Sequence, residues 1–146
     1  MREYPAPLHI LLAEDNPADV RLMRELLKES TIVTELHVVS DGEEAVAYMR
    51  KRGKYVDAPR PNLVLLDLNM PKRDGRSVLR EVKADPELKR IPVIVLTTSG
   101  AEEDIRQSYD AHANCYVRKP TDFADFQTIF QKFETFWFTA AEIPTT

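Results

Sequence analysis

A parallel β-sheet covered by helices on both faces is the fold class this chain predicts, and three observations lead to it. Short apolar runs recur at residues 8–13, 36–39, 63–66, 93–96 and 115–117. Amphipathic stretches of helical period separate them, and strands alternating with helices are the sequence form of an α/β parallel sheet. Three of the five runs end on charged residues, and ligands of such sheets sit outside the carboxyl ends of the strands.

Each element follows from its residues. The run Ile10-Leu11-Leu12-Ala13 closes on Glu14-Asp15. Asn16-Pro17 then suits a helix start, because proline fits a first helical position, and Val20, Met23 and Leu27 recur on one face. Asp41, with Glu44 three residues on, is a capping-box-like start for a helix over 43–50 carrying Ala45, Val46 and Met49. The stretch 52–62, with Pro59 and Pro61, reads as an ordered or semi-rigid loop. The four-residue run 63–66, followed by Asp67, reads as a strand buried on both faces. A helix over 77–84 gathers Val78, Leu79 and Val82 and stops at Asp85-Pro86. The helix over 102–110 has a weaker face around Ile105 and Tyr109, and Thr121-Asp122 caps a last helix.

The bulk numbers narrow the function. With 146 residues, 43% of them hydrophobic, the chain is large enough for one well-packed domain and too small for two. Its 24 acidic and 20 basic side chains argue against a nucleic-acid partner, which needs a basic face. The single cysteine, Cys115, cannot form an intrachain disulfide and is expected to be a buried strand residue. The first residues lack a signal-peptide pattern, and no window approaches a membrane span, so a cytoplasmic location and no membrane partner are expected.

The chemistry concentrates at the charged strand ends. Glu14, Asp15 and Asp67 at one sheet edge would repel one another, so the cluster predicts a cation. Hard oxygen donors select Mg²⁺ over zinc. Asp15 and Asp67 are the expected direct ligands, with Glu14 acting through water and the backbone carbonyl of Asn69 as a further ligand. The competing reading makes Glu14-Asp15 a cap for the helix at Pro17. An aspartate oxygen can accept a phosphoryl group as an acyl phosphate, given positioning and charge neutralisation. Asp67 is the expected nucleophile, Lys119 the second source of positive charge, and Thr97 a hydroxyl donor to a phosphoryl oxygen. The Lys119-Pro120 bond is a candidate for a cis peptide that would fix the lysine's direction.

Taken together, Glu14-Asp15, the apolar run ending in Asp67-x-x-Met70-Pro71-x-x-Asp74-Gly75, Thr97 and Tyr116-x-x-Lys119-Pro120 resemble the receiver domain of two-component response regulators. The match spans roughly residues 8 to 135. The resemblance implies a flavodoxin-like (βα)5 fold with strand order 2-1-3-4-5, a receiver domain over 8–138 and a short tail over 139–146 with no output domain. It also implies Mg²⁺-dependent phosphorylation of Asp67 by a sensor histidine kinase. Thr97 and Tyr116 would then be the switch residues, reshaping the face built from the fourth helix, fifth strand and fifth helix. The 55–61 loop and the aromatic tail look like those of the small regulators that serve phytochromes, particularly the cyanobacterial type, which makes a phytochrome the expected kinase. Two positions depart from the family pattern. His112 stands where glycine is common and must tolerate a turn that glycine makes freely. Thr98 replaces a smaller residue and is expected to narrow the path of an attacking water.

The signal must leave through a surface toward an as yet unknown downstream protein. Phe126, Ile129, Phe130 and Phe133 form one apolar stripe, whereas Phe136, Trp137 and Phe138 come in succession and point several ways. Exposed aromatics mark contacts with partners. A homodimer through Tyr116, Phe133, Phe136, Trp137 and Phe138 is therefore expected; the alternative folds the tail back on its own domain. Two other functions compete with the phospho-accepting switch. A pseudo-receiver would bind partners without phosphorylation but normally lacks one of the acids, the threonine or the lysine. A Mg²⁺-dependent aspartyl phosphatase normally carries an acid two residues after its nucleophile, where this chain has Asn69.

Overall fold

The computed structural model describes residues 7–144. Five strands alternate with five helices: β1 (Leu8–Ala13), α1 (Pro17–Lys28), β2 (Thr34–Val39), α2 (Gly42–Met49), β3 (Leu63–Leu66), α3 (Gly75–Ala84), β4 (Val93–Thr97), α4 (Glu102–Asp110), β5 (Cys115–Arg118) and α5 (Phe123–Glu134). All strand pairs are parallel, in the order β2-β1-β3-β4-β5 that the flavodoxin-like expectation gave. Among the described residues, no helix is long and apolar enough to cross a membrane.

The period of two in the strands builds a core on each side of the sheet. Leu8, Ile10, Leu12, Leu63, Leu65, Ile94 and Leu96 face α1 and α5, meeting Met23, Leu26, Leu27, Phe126 and Phe130. Leu11, Ala13, Val64, Leu66, Val93 and Val95 face the other way, against Val46, Met49, Val78, Leu79 and Val82 of α2 and α3. Helix starts are set by side-chain caps. Asn16 accepts from the amides of Ala18 and Asp19, Asp41 from Glu44, Asp74 from Arg76, and Asp122 from Ala124 and Asp125. Asn16, rather than Glu14-Asp15, is thus the cap of α1. The box at Asp41 is one-sided, because the Glu44 carboxylate accepts from the Tyr55 hydroxyl instead of the cap amide.

Three expectations need correction. The peptide bond before Pro120 is trans, for no described residue has a cis bond. Cys115 is half-buried rather than buried, because β5 is an edge strand with neighbours on one side only. Phe138 is not an exposed interface aromatic: it is fully buried in the α1/α5 core of its own chain. After α5 the chain widens into a π-helical turn, Thr135–Ala140. Its longer repeat lets Phe138, five residues beyond Phe133, return to the same side, with ring centroids 5.7 Å apart edge to face. Trp137 and Phe133 are half-buried against the same core, and Phe136 is exposed. Ile143 packs there as well. His112 takes the left-handed turn, at φ 70°, that its position demanded.

Candidate functional site

Sheet register brings the charged strand ends together. Ala13 pairs with Leu66, so the next residues, Glu14 and Asp67, leave neighbouring strands side by side. Their amides are tied to the sheet, Glu14 N–H donating to the Val39 carbonyl at 3.0 Å and Asp67 N–H to the Ala13 carbonyl at 3.1 Å. Lys119 follows β5, held by its amide on the Thr97 carbonyl at 2.7 Å. One carboxylate oxygen from each of Glu14, Asp15 and Asp67 lies within 4.8 Å of the others. The Lys119 ammonium donates to Glu14, to Asp67 Oδ2 at 3.2 Å and to Asp19 Oδ2 at 2.9 Å.

This is a buried electrostatic knot. Lys119, Glu14 and Asp67 are buried, whereas Asp15 and Asn69 stand in solvent at the rim. Burial, opposed by Lys119 and reinforced by the charge of Asp67, pushes the Glu14 carboxyl up to about 7. For Lys119, burial works against the charge, but the Glu14 contact followed by Asp19 and Asp67 outweighs it and raises the pKa above the usual lysine value. One ammonium facing four nearby acids leaves negative charge uncompensated, so the set suits a hard divalent cation. Thr97 is fully buried, and its Oγ1 has no hydrogen-bond partner among the described residues.

The loop after Asp67 is fixed at Gly75, whose amide donates to the Leu68 carbonyl at 2.9 Å. A Cβ at Gly75 would stand 2.3 Å from the Asp67 carbonyl oxygen, so only glycine fits. The Asn69 amide donates to Asp67 Oδ1 at 3.1 Å. Thr98, by contrast with Thr97, is exposed just beyond the end of β4. Tyr116 sits half-buried against the α2/α3 core, its hydroxyl donating to the Ser99 carbonyl at 2.8 Å.

Two features were not anticipated from the sequence. Asp19 lies in the first turn of α1, and only the way α1 lies against the sheet brings it within reach of the Lys119 ammonium. The other is a linkage running away from the site. Ser99 Oγ donates to Asp104 at 2.6 Å, and the Arg76 guanidinium bridges Asp104, at 2.7 Å, to Asp74. This chain couples the start of α3 and the Thr97–Ser99 segment to α4. The Asp74-Gly75 pair was the one visible signal of it.

Comparison with known proteins agrees with the geometry. The response regulator receiver domain family model matches residues 10–131. Response regulator Rcp1 of Synechocystis sp. is 51% identical over 142 residues, covering 97% of each chain. The structure of the phosphorylated cyanobacterial phytochrome response regulator RcpA superposes with a TM-score of 0.93 at 51% identity, over 96% of this chain and 100% of that one. The Mn(2+)-bound form of Rcp1 superposes with a TM-score of 0.92 at 50% identity, over 95% and 100%. The chain belongs to the response regulator receiver domain family.

Proposed function

We propose that this chain is the phospho-accepting switch of a phytochrome-linked two-component system, with Asp67 as the phosphorylation site in a receiver domain spanning 8–138. The observation that carries the reading is the convergence of Glu14, Asp15, Asp67, Thr97 and Lys119 at one sheet edge. Similarity to phytochrome response regulators along nearly the whole chain supports the choice of a phytochrome kinase, and a cytoplasmic setting goes with that reading.

In this reading Asp67 attacks the phosphorus of a kinase phosphohistidine, and the P–N bond breaks as the new P–O bond forms. Asp15 and Asp67, with the Asn69 carbonyl and Glu14 through water, would hold Mg²⁺, which when bound supplies positive charge against the phosphoryl oxygens. Lys119 neutralises further charge, and the Thr97 hydroxyl donates to a phosphoryl oxygen. Forming that bond draws on the β4–α4 segment. Because the Ser99 carbonyl holds Tyr116 and the Ser99 hydroxyl holds Asp104, movement there reaches the α4-β5-α5 face. That face, with Tyr116, Phe133, Phe136 and Trp137, is the surface we assign to a homodimer and to a downstream protein. The chain acts as a phosphoryl acceptor rather than as a turnover enzyme.

Incubation with Mg²⁺ and a small acyl phosphate tests this. The parent should gain one phosphoryl group per chain, seen by intact mass, and Asp67→Asn none. Equal labelling of the two would reject Asp67 as the acceptor.

A further inference from the structure

We propose that His9, Glu35 and His37 form a second cation site, for a borderline transition metal such as Zn²⁺, on the α2/α3 face of the sheet away from the phospho-accepting edge. His9 and Glu35 are paired across β1 and β2, and His37 lies two residues further along β2, so the pleat sends all three side chains to one side. His9 Nδ1 stands 3.1 Å from His37 Nε2 and 3.7 Å from Glu35 Oε2, and the three donor atoms lie within 4.8 Å of one another. Two imidazole nitrogens on one tetrahedral zinc would be about 3.3 Å apart, so the nitrogen pair already stands close to ligand spacing. Two imidazoles and one carboxylate suit zinc-like ions, whereas the all-oxygen set at the other edge suits magnesium.

Tyr48 supplies an independent observation. It is 5% exposed, its ring lies 5.7 Å from that of His37, and its hydroxyl has no partner among the described residues. A hydrogen bond between two neutral imidazoles explains the His9–His37 contact alone. A bound ion accounts for more: both ring lone pairs, the half-solvated Glu35 carboxylate, and a coordinated water to satisfy the Tyr48 hydroxyl. His9 is also held in place, its amide donating to Asn62 Oδ1 at 2.8 Å and its carbonyl accepting from the Asn62 amide at 2.8 Å. The site would tie β1 to β2, the strand at one edge of the sheet, through side chains as well as the backbone ladder.

The test is a zinc titration of the untagged full chain against a chromogenic chelator, in excess Mg²⁺ to occupy the acidic edge. One Zn²⁺ per chain is expected. His37→Gln should weaken binding on the order of a hundredfold and Tyr48→Phe about tenfold. Glu35→Gln, at a half-exposed position that folding tolerates, should weaken it at least tenfold. Zinc at about a hundred times its dissociation constant should raise the parent's Tm by roughly 5–10 °C. No zinc uptake in the presence of Mg²⁺, or equal uptake by the parent and Glu35→Gln, would overturn the proposal. Phosphate uptake from a small acyl phosphate reads the other edge separately, so failure of one reading leaves the other standing.

Discussion

Replacing Lys119 by methionine removes the ammonium while keeping the length and apolar stem of the side chain. Lys119 is 5% exposed and reaches Glu14 at 3% and Asp67 at 10%, so water replaces little of what is lost; only Asp19, at 29%, is partly solvated. At 3.2 Å and an effective dielectric near 20, each direct attraction is about 5 kcal/mol before desolvation is counted. Removing one member of a buried pair costs a net 3–5 kcal/mol or so. The solvation of Asp19 and the ease with which Glu14 takes a proton place the expected loss near the lower end, about 3 kcal/mol. With a urea slope of about 2 kcal/mol/M, the unfolding midpoint should fall by roughly 1.5 M at neutral pH. Adding Mg²⁺ should recover part of that difference, because the stranded carboxylates regain a counter-charge. Labelling from a small acyl phosphate should slow on the order of a hundredfold, the scale for losing one charge-stabilising donor at a reacting oxygen. A Lys119→Met protein that unfolds with the parent and labels at the parent's rate would refute the electrostatic account of the site.

Two further outcomes follow from packing. Phe138→Ala should cost about 3–5 kcal/mol by urea unfolding, whereas Phe136→Ala, two residues away and exposed, should stay within roughly 0.5 kcal/mol. Equal losses would mean the π-helical turn does not direct these rings as described. Gly75→Ala puts a methyl group 2.3 Å from the Asp67 carbonyl oxygen and should destabilise by at least about 2 kcal/mol. Because it displaces the loop that aims Asp67, it should also slow phosphate labelling by tenfold or more; an unchanged rate would show that the loop does not position the acceptor.

Local physics made much of this protein legible from its residues. The period of the apolar runs gave all five strands and the helices between them, because burial on a sheet or helix face needs side chains at fixed intervals. Boundaries moved where a cap or a pairing partner decides: α3 begins at Gly75 rather than Ser77 because Asp74 caps it, and β2 begins at Thr34 because it pairs with Leu8 of β1. The charged strand ends were readable as one edge because parallel strands bring their carboxyl ends to the same side.

What only the tertiary structure decided are the pairings between residues far apart in the chain. Asp19 meets an ammonium a hundred residues away because of how α1 lies against the sheet, and no spacing rule encodes that. Phe138 is in the core because one wide helical turn shifts the phase of the tail, which a regular helical period cannot foresee. His9 and His37 meet because the β1–β2 register sets their nitrogens side by side, a contact that neither strand's own pattern encodes. Sequence periodicity records which face a side chain takes; which other side chain it meets there depends on register and helix placement, and those are set by the packing of the whole domain.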